Sequence, residues 1–303
     1  MTATTASRSA TSRTTQPKHG KSRGRAKESK QTMAPRVFQI GLVLATLWLA
    51  MVAFFALFAP VMGFLADPGR PSLNANQGPS WSALFGTDEL GRDMFSRVIW
   101  GSRLSLLIAL ISTAFGTVVG GVLGLFSGYF KGWIDDIIGG ATNVMLSLPA
   151  LMFAMLIVTV MDQNLRNVII AVSILSTPAV ARVARAQTIR FADREFVIAA
   201  KGMGARRIRI IFKEILPNVL PVMMSFAFLA FGIVVIAEGA LSFIGKSVPA
   251  PDITWGGILA AGRSKLQNSP HLTIFPALVI FFTLLSVNYI GNRLLHRSDI
   301  RHH

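Results

Sequence analysis

The chain contains no cysteine. That excludes disulfides, thiolate metal sites and thiol catalysis. Acidic residues are scarce: 14 Asp and Glu stand against 30 Lys and Arg, a formal net charge of +16. Charged residues of either sign make up only 15% of the chain, while 52% is hydrophobic. A soluble domain needs more charge than this to cover its surface, so the balance points to a membrane protein. A phosphate-binding loop is also missing. Gly239 to Ser247 reads G-A-L-S-F-I-G-K-S, but five residues separate the first glycine from G-K-S where four are required. That stretch also lies in an apolar run, not between a strand and a helix. The chain is therefore expected to carry no ATPase site and no cofactor of its own. No His, Asp, Glu or Ser cluster stands at catalytic spacing within the apolar runs, which leaves an intramembrane enzyme without support.

What the sequence does have is six apolar runs. A helix rises 1.5 Å per residue, so about 20 residues cross a bilayer core. The runs are Val37 to Ala59, Leu104 to Phe126, Ile138 to Met161 with Pro149 inside it, Val168 to Val183 broken by Pro178, Pro217 to Ile244, and Leu272 to Leu295. Residues 1–36 are rich in Thr, Ser, Lys and Arg and read as a disordered basic tail, either inert or resting on anionic lipid. They do not fit a cleavable signal peptide, whose charged start is short. His302 and His303 close the chain with no ligand partners in sequence.

Lys and Arg are spread unevenly over the connections. With the N-terminus inside, the tail, the second-to-third loop, the central loop and the C-terminal end hold 22 of the 30 basic residues, and the outer loops hold 8. This asymmetry predicts both termini in the cytoplasm. Because the basic residues flank apolar spans instead of forming a stripe on a folded domain, nucleic-acid binding is a poor reading.

Two stretches carry more than topology. The first is the central loop, Asp193 to Asn218, with Ala199 and Ala200, then Gly204, then Leu216-Pro217. A plain cytoplasmic loop needs no such spacing; a short helix that docks into a partner does. Ala199, Ala200 and Gly204 are expected on one helix as a small-residue flank, with Phe196 as an apolar anchor. The pattern resembles the E-A-A loop of type I ABC-importer permeases, matching at Ala199, Ala200, Gly204, Leu216 and Pro217. Ile198 and Glu214 depart from it. The variant E-F-V-x-A-A, with Glu195 and Phe196, is similar to that of the dipeptide, oligopeptide and nickel importer branch.

The second stretch precedes the second span and reads G-T-D-E-L-G-R-D-M-F-S-R. Gly86, Thr87, Asp88, Gly91, Arg92, Asp93, Ser96 and Arg97 all match the segment found there in C-type permease subunits of the peptide-importer branch. The match continues through Gly101, Arg103, Ser105 and Leu106. Asp88 and Asp93 are candidates to cap a helix start. Arg92, Arg97 and Arg103 lie close enough to pair with them or with lipid headgroups. Two carboxylates among three arginines make a poor cation cage, so no metal site is expected.

Within the spans, Gly116, Gly120, Gly124 and Gly128 recur every four residues. Such rows let helix backbones approach closely, inside the subunit or against a second permease. Glu238 is an acid inside an apolar run, followed by L-S-F-I-G, which resembles the family's E-x-x-L-S-F-L-G. An intramembrane carboxylate is either functional or a structural acid bonded to a neighbouring helix. In the third span, related subunits usually carry an Arg and an acid where this chain has Gly140 and Asn143. The segment that joins the last two spans, with three prolines and Trp255-Gly256-Gly257, reads as an outer surface element near a substrate-delivery protein.

The resemblance implies an all-α integral membrane protein with six transmembrane helices, the type I ABC-importer permease fold and a cytoplasmic coupling helix. Its parts would be a tail over 1–36, a permease domain over 37–295 with the coupling loop at about 184–216, and a short cytoplasmic end over 296–303. The implied partners are a second permease subunit, two ATP-binding subunits carrying ATP and Mg, an extracytoplasmic solute-binding protein, and the bilayer. Peptides are the cargo that the resemblance favours; nickel, glutathione and haem importers share these motifs. A carrier or channel acting alone is the rival class, and it leaves the central loop unexplained.

Overall fold

The computed structural model describes residues 35–63 and 65–300, with side chains described between Ile40 and Arg293. The expected tail lies outside the described residues as far as residue 34, as do His302 and His303. The described residues form ten α-helices in order: α1 Pro35–Phe58, α2 Met94–Phe130, α3 Gly132–Ser147, α4 Ala150–Val160, α5 Leu165–Ala192, α6 Glu195–Gly202, α7 Arg207–Arg209, α8 Leu216–Phe243, α9 Trp255–Gly262 and α10 His271–Ile300. Among the described residues no strand forms; a single antiparallel bridge joins Thr87 to Asp93.

Among the described residues five stretches are long and apolar enough to cross a membrane: Ile40–Val61, Met94–Phe130, Leu165–Ala192, Arg207–Phe243 and His271–Arg293. The pair α3 and α4 makes a sixth if taken as one span, though the two bend by 93°. The bend falls at Leu148, whose extended backbone (ψ 138°) ends α3 before Pro149 begins α4. Proline disfavours the helical conformation in the residue before it, which is why the run breaks there.

Pro178 behaves differently. The fourth span is neither short nor broken: α5 runs unbroken through Pro178 for 28 residues. Two forces hold it. The hydroxyls of Ser176 and Thr177 both donate to the Ser173 carbonyl at 2.9 Å beside the proline. The helix is also pressed along its length against α2. There the glycine row does its packing within the subunit. A Cβ on Gly120 would come within 2.5 Å of the Thr177 carbonyl, and one on Gly124 within 2.5 Å of Ala184 Cβ. Gly116 meets Ser176, and Gly128 meets Thr188, in the same way.

This seam yields a stability prediction. Gly124→Ala should cost about 1–3 kcal/mol, the usual price of overpacking a tight contact. Gly239, also helical, has open space where a Cβ would go. Thermal unfolding of the purified protein in detergent is therefore expected to shift down for Gly124→Ala and not for Gly239→Ala. Equal midpoints for the two would show that the α2–α5 seam is not tight.

Three buried clusters stack along the bundle. At the end where α6 lies, Leu125, Val180, Val197, Ile211, Ile215 and Val219 pack together. At mid-depth, Ile108, Ala154, Val158, Val172, Val234 and Leu241 join α2, α4, α5 and α8. At the other end, Val52, Met94, Val98, Trp255, Ile258 and Leu272 close the bundle under residues 65–93. Trp255 is fully buried; its indole Nε1 donates to the Val98 carbonyl at 2.9 Å, and its backbone N–H donates to Ser105 Oγ at 2.9 Å. The segment joining the last two spans is exposed over 249–252, while Trp255 and Gly256 are buried and anchor it to the bundle; Gly257 is exposed again.

Candidate functional site

The central stretch divides more finely than its sequence suggests. Helix α5 continues to Ala192, so the loop expected from about 184 begins nine residues later, at Asp193. Asp193 lies 3.6 Å from Lys131 Nζ at the start of α3. Helix α6 then starts with Glu195 in its first turn, where a carboxylate suits the positive end of the helix dipole.

Helix α6 has two faces. Val197 and Ala200 point into the cluster with Leu125, Ile210, Ile211 and Ile215, and Ala205 and Leu216 pack at its edge. Glu195, Phe196, Ile198 and Ala199 face outward. Phe196 is 40% exposed and Ile198 58%, on a helix flanked by basic residues. The helix is therefore held from behind by a core and presents apolar side chains in front.

Gly204 does not share that helix, which corrects the expectation of a flank made with Ala199 and Ala200. Helix α6 ends at Gly202, and Gly204 lies beyond it at φ +78°. Gly204 N–H donates to the Lys201 carbonyl at 3.0 Å, and Ala205 N–H to the Ala200 carbonyl at 3.1 Å. These two bonds are the Schellman arrangement that closes a helix, and it needs a left-handed residue where glycine stands. Gly204 thus turns the chain. No atom lies within 4 Å of where its Cβ would be.

Past the turn, α7 passes into a π-helical segment, Ile210–Ile215, that leads without a break into α8. Leu216 is half-buried and Pro217 exposed in the first turn of α8. Proline has no N–H for the turn behind it, and the widened segment lies there. Asn218 Nδ2 donates to the Glu214 carbonyl at 2.6 Å.

The second motif is a closed knot at the opposite end. Asp93 caps α2, accepting from Ser96 N–H at 2.8 Å. Asp88 caps no helix. Its Oδ1 accepts from the N–H groups of Leu90 and Arg92 at 2.9 Å each, and its Oδ2 sits 2.7 Å from Arg92 Nε and 3.7 Å from Arg97 Nε. Arg97 also donates to the Pro68 carbonyl at 3.0 Å, and Ser96 Oγ accepts from Ala66 N–H at 3.1 Å. Thr87 Oγ1 donates to the Asn74 carbonyl at 2.5 Å. Ser72 Oγ donates to the Gly91 carbonyl at 2.7 Å. Gly86 takes φ +74°, and a Cβ there would collide with the Gln77 carbonyl and the His271 ring. The motif residues thus bind residues 65–77 onto the start of α2. Arg103 pairs with neither Asp; it stacks on the Trp100 ring at 5.1 Å.

Glu238 is 2% exposed near the end of α8. Its Oε1 accepts three hydroxyls: Ser242 at 2.9 Å, Ser247 at 2.8 Å and Thr254 at 2.8 Å. Thr254 also caps α9 by accepting from Gly257 N–H at 3.0 Å. The carboxylate gathers α8, the connection after it and α9 around one oxygen, which is the arrangement of a structural acid.

One cluster was not singled out from sequence. Arg185 of α5 grips Asp135 of α3 with two bonds, Nε to Oδ1 at 2.6 Å and Nη2 to Oδ2 at 2.5 Å, and the Ser127 hydroxyl donates to the same carboxylate. Nearby, Arg182 Nη2 donates to Asn143 Oδ1 at 3.0 Å. Sequence alone counted both arginines as loop charges. The usable signal was their spacing of three residues near the end of the fourth span, matched by the acids Asp135 and Asp136 between the second and third spans.

Residues 120–301 match the family described as binding-protein-dependent transport system inner membrane component. The dipeptide transport system permease protein DppC of Alkalihalophilus pseudofirmus is 35% identical over 89% of this chain and 88% of that protein. The glutathione transport system permease protein GsiD of Pectobacterium atrosepticum is 36% identical over 84% of each. Among solved structures, an inward-facing MetNI methionine ABC transporter chain aligns with a TM-score of 0.58 at 16% identity, covering 68% of this chain and 97% of that one. That last likeness shows the fold alone. The chain belongs to the binding-protein-dependent transport system inner membrane component family. It is an integral membrane permease subunit of an ABC importer.

Proposed function

We propose that this chain forms half of the translocation pathway of an importer for short peptides. It would pair with a second permease, rest on two ATP-binding subunits that carry ATP and Mg, and receive cargo from an extracytoplasmic solute-binding protein. The observation that carries the coupling role is α6: a short helix anchored by Val197 and Ala200, with Phe196 and Ile198 exposed in front. A soluble loop gains nothing from exposed apolar residues on a rigid base, whereas a docking surface does. Peptide cargo is supported by the relatives named for dipeptide and glutathione transport, glutathione being itself a tripeptide.

In this reading the α6 end faces the cytoplasm with both termini, and residues 65–93 face outward. Because the chain lacks cysteine, single cysteines report topology cleanly. Trp81→Cys, at an almost fully exposed position, should label with an impermeant thiol reagent on intact cells. Lys201→Cys should label only after the membrane is opened. External labelling of Lys201→Cys would refute the orientation. The complete complex, reconstituted in vesicles, should take up labelled di- and tripeptides only with ATP and binding protein present; uptake without ATP would favour a stand-alone carrier.

A further inference from the structure

At the α6 end of the bundle, a cavity of about 380 Å³ opens between α2, α3 and α5. Its walls include Asp136 and Asn143 from α3 and Arg182 from α5, along with the Asp135–Arg185 pair. Gly140 lines it with no side chain, and nothing lies within 4 Å of where its Cβ would stand.

The charges in this cavity are not all used. Asp135 and Arg185 neutralise each other through two short bonds. Arg182 has only the neutral Asn143 amide as a partner, and among the described residues neither Arg182 nor Asp136 has an ion-pair partner. Arg182 stands ten residues before the end of α5, about 15 Å along the helix axis. Arg182 is exposed, so its charge stays accessible beside that single amide. The cavity therefore offers one open cation and one open anion, with the charge between them cancelled.

The spacing of the two is informative. Asp136 and Asn143, to which Arg182 is bonded, lie seven residues apart on α3, or about 10 Å. An extended peptide covers roughly 3.3–3.6 Å per residue, so three residues span about the same distance.

We propose that this cavity binds a short zwitterionic peptide, its C-terminal carboxylate on Arg182 and its N-terminal ammonium on Asp136. This deepens the importer reading and rests on it. The site lies on the α6 side, so it holds cargo late in its passage and favours peptides of about three residues with both ends free.

The test uses the full complex of both permeases and both ATP-binding subunits in nanodiscs, without binding protein, so that only the membrane part selects. Trialanine, its C-terminal amide and N-acetyl-trialanine serve as probes in equilibrium dialysis. Arg182→Gln should weaken trialanine about tenfold or more, while leaving the amide unchanged; tenfold corresponds to 1.4 kcal/mol. Asp136→Asn should weaken trialanine to a similar degree and spare the acetylated peptide. Arg182→Lys should keep most of the affinity, and Asn143→Asp should lose it, because the new carboxylate occupies Arg182. Asp136 and Asn143 are exposed, so neither change threatens the fold.

Equal binding of free and blocked peptides by the unaltered complex overturns the site. So does uniform weakening of all three probes by Arg182→Gln. If the complete complex transports trialanine yet shows no binding in nanodiscs, the cavity assignment fails and the importer reading stands. If the complete complex transports no peptide at all, the reading beneath it fails as well.

Discussion

Phe196→Asp is expected to abolish substrate-stimulated ATP hydrolysis and transport in the reconstituted complex while leaving membrane insertion and yield unchanged. The side chain is 40% exposed on α6, so the fold does not depend on it. In the proposed assembly it is the aromatic anchor of a docking contact. Truncating such anchors typically costs 2 kcal/mol or more, and a buried charge in its place costs further. Two kcal/mol already corresponds to about thirtyfold in a coupling equilibrium. The neighbouring residue supplies the contrast. Val197 is fully buried in the cluster behind α6, so Val197→Asp should lower yield and thermal stability whatever α6 touches. Normal transport by the Phe196→Asp complex would sink the coupling assignment, whereas loss of yield would show that Phe196 belongs to the core.

Glu238→Ala should be strongly destabilising. Three buried hydroxyls lose their common acceptor at once. Leaving a buried polar group unsatisfied costs roughly 1–3 kcal/mol, and some of the three will find other partners, so a net loss of about 3 kcal/mol is expected. Glu238→Gln keeps one oxygen as an acceptor and should cost less. The readouts are the midpoint of thermal unfolding and the yield of assembled complex, with transport per assembled complex little changed. If Glu238→Ala assembles normally and transport alone is lost, the carboxylate serves the cargo and not the fold.

How much of this was legible depended on whether local chemistry or distant packing decided each point. Asp93 capping α2 could be read from sequence because an N-cap is a local matter. The glycine row could be read as a seam, but not its partner, since periodicity marks a face and says nothing about what it meets. The two prolines show the limit most clearly. Each interrupts an apolar run, yet Pro149 marks a 93° break and Pro178 none. Helix α5 is clamped along α2, while no residue of α3 is buried. Packing chose between two outcomes that the sequence allowed equally. Gly204 was visible as special, but its function as a helix terminator depends on the backbone sign of φ, which composition does not display. Ser247 and Thr254 joined Glu238 across gaps of 9 and 16 residues, where no helical or strand period could pair them.

The helical stretch Arg207–Phe243 runs without a break. At 37 residues it is a rod of about 55 Å, with the turn after α6 at one tip and the Glu238 cluster near the other. A tilt of about 5° about one tip would carry the other sideways by about 5 Å over that length. In the proposed assembly the α6 end and the Glu238 cluster are joined by one continuous helix rather than by a relay of side chains. Motion at the α6 tip would then reach residues 244–262 as displacement of that helix.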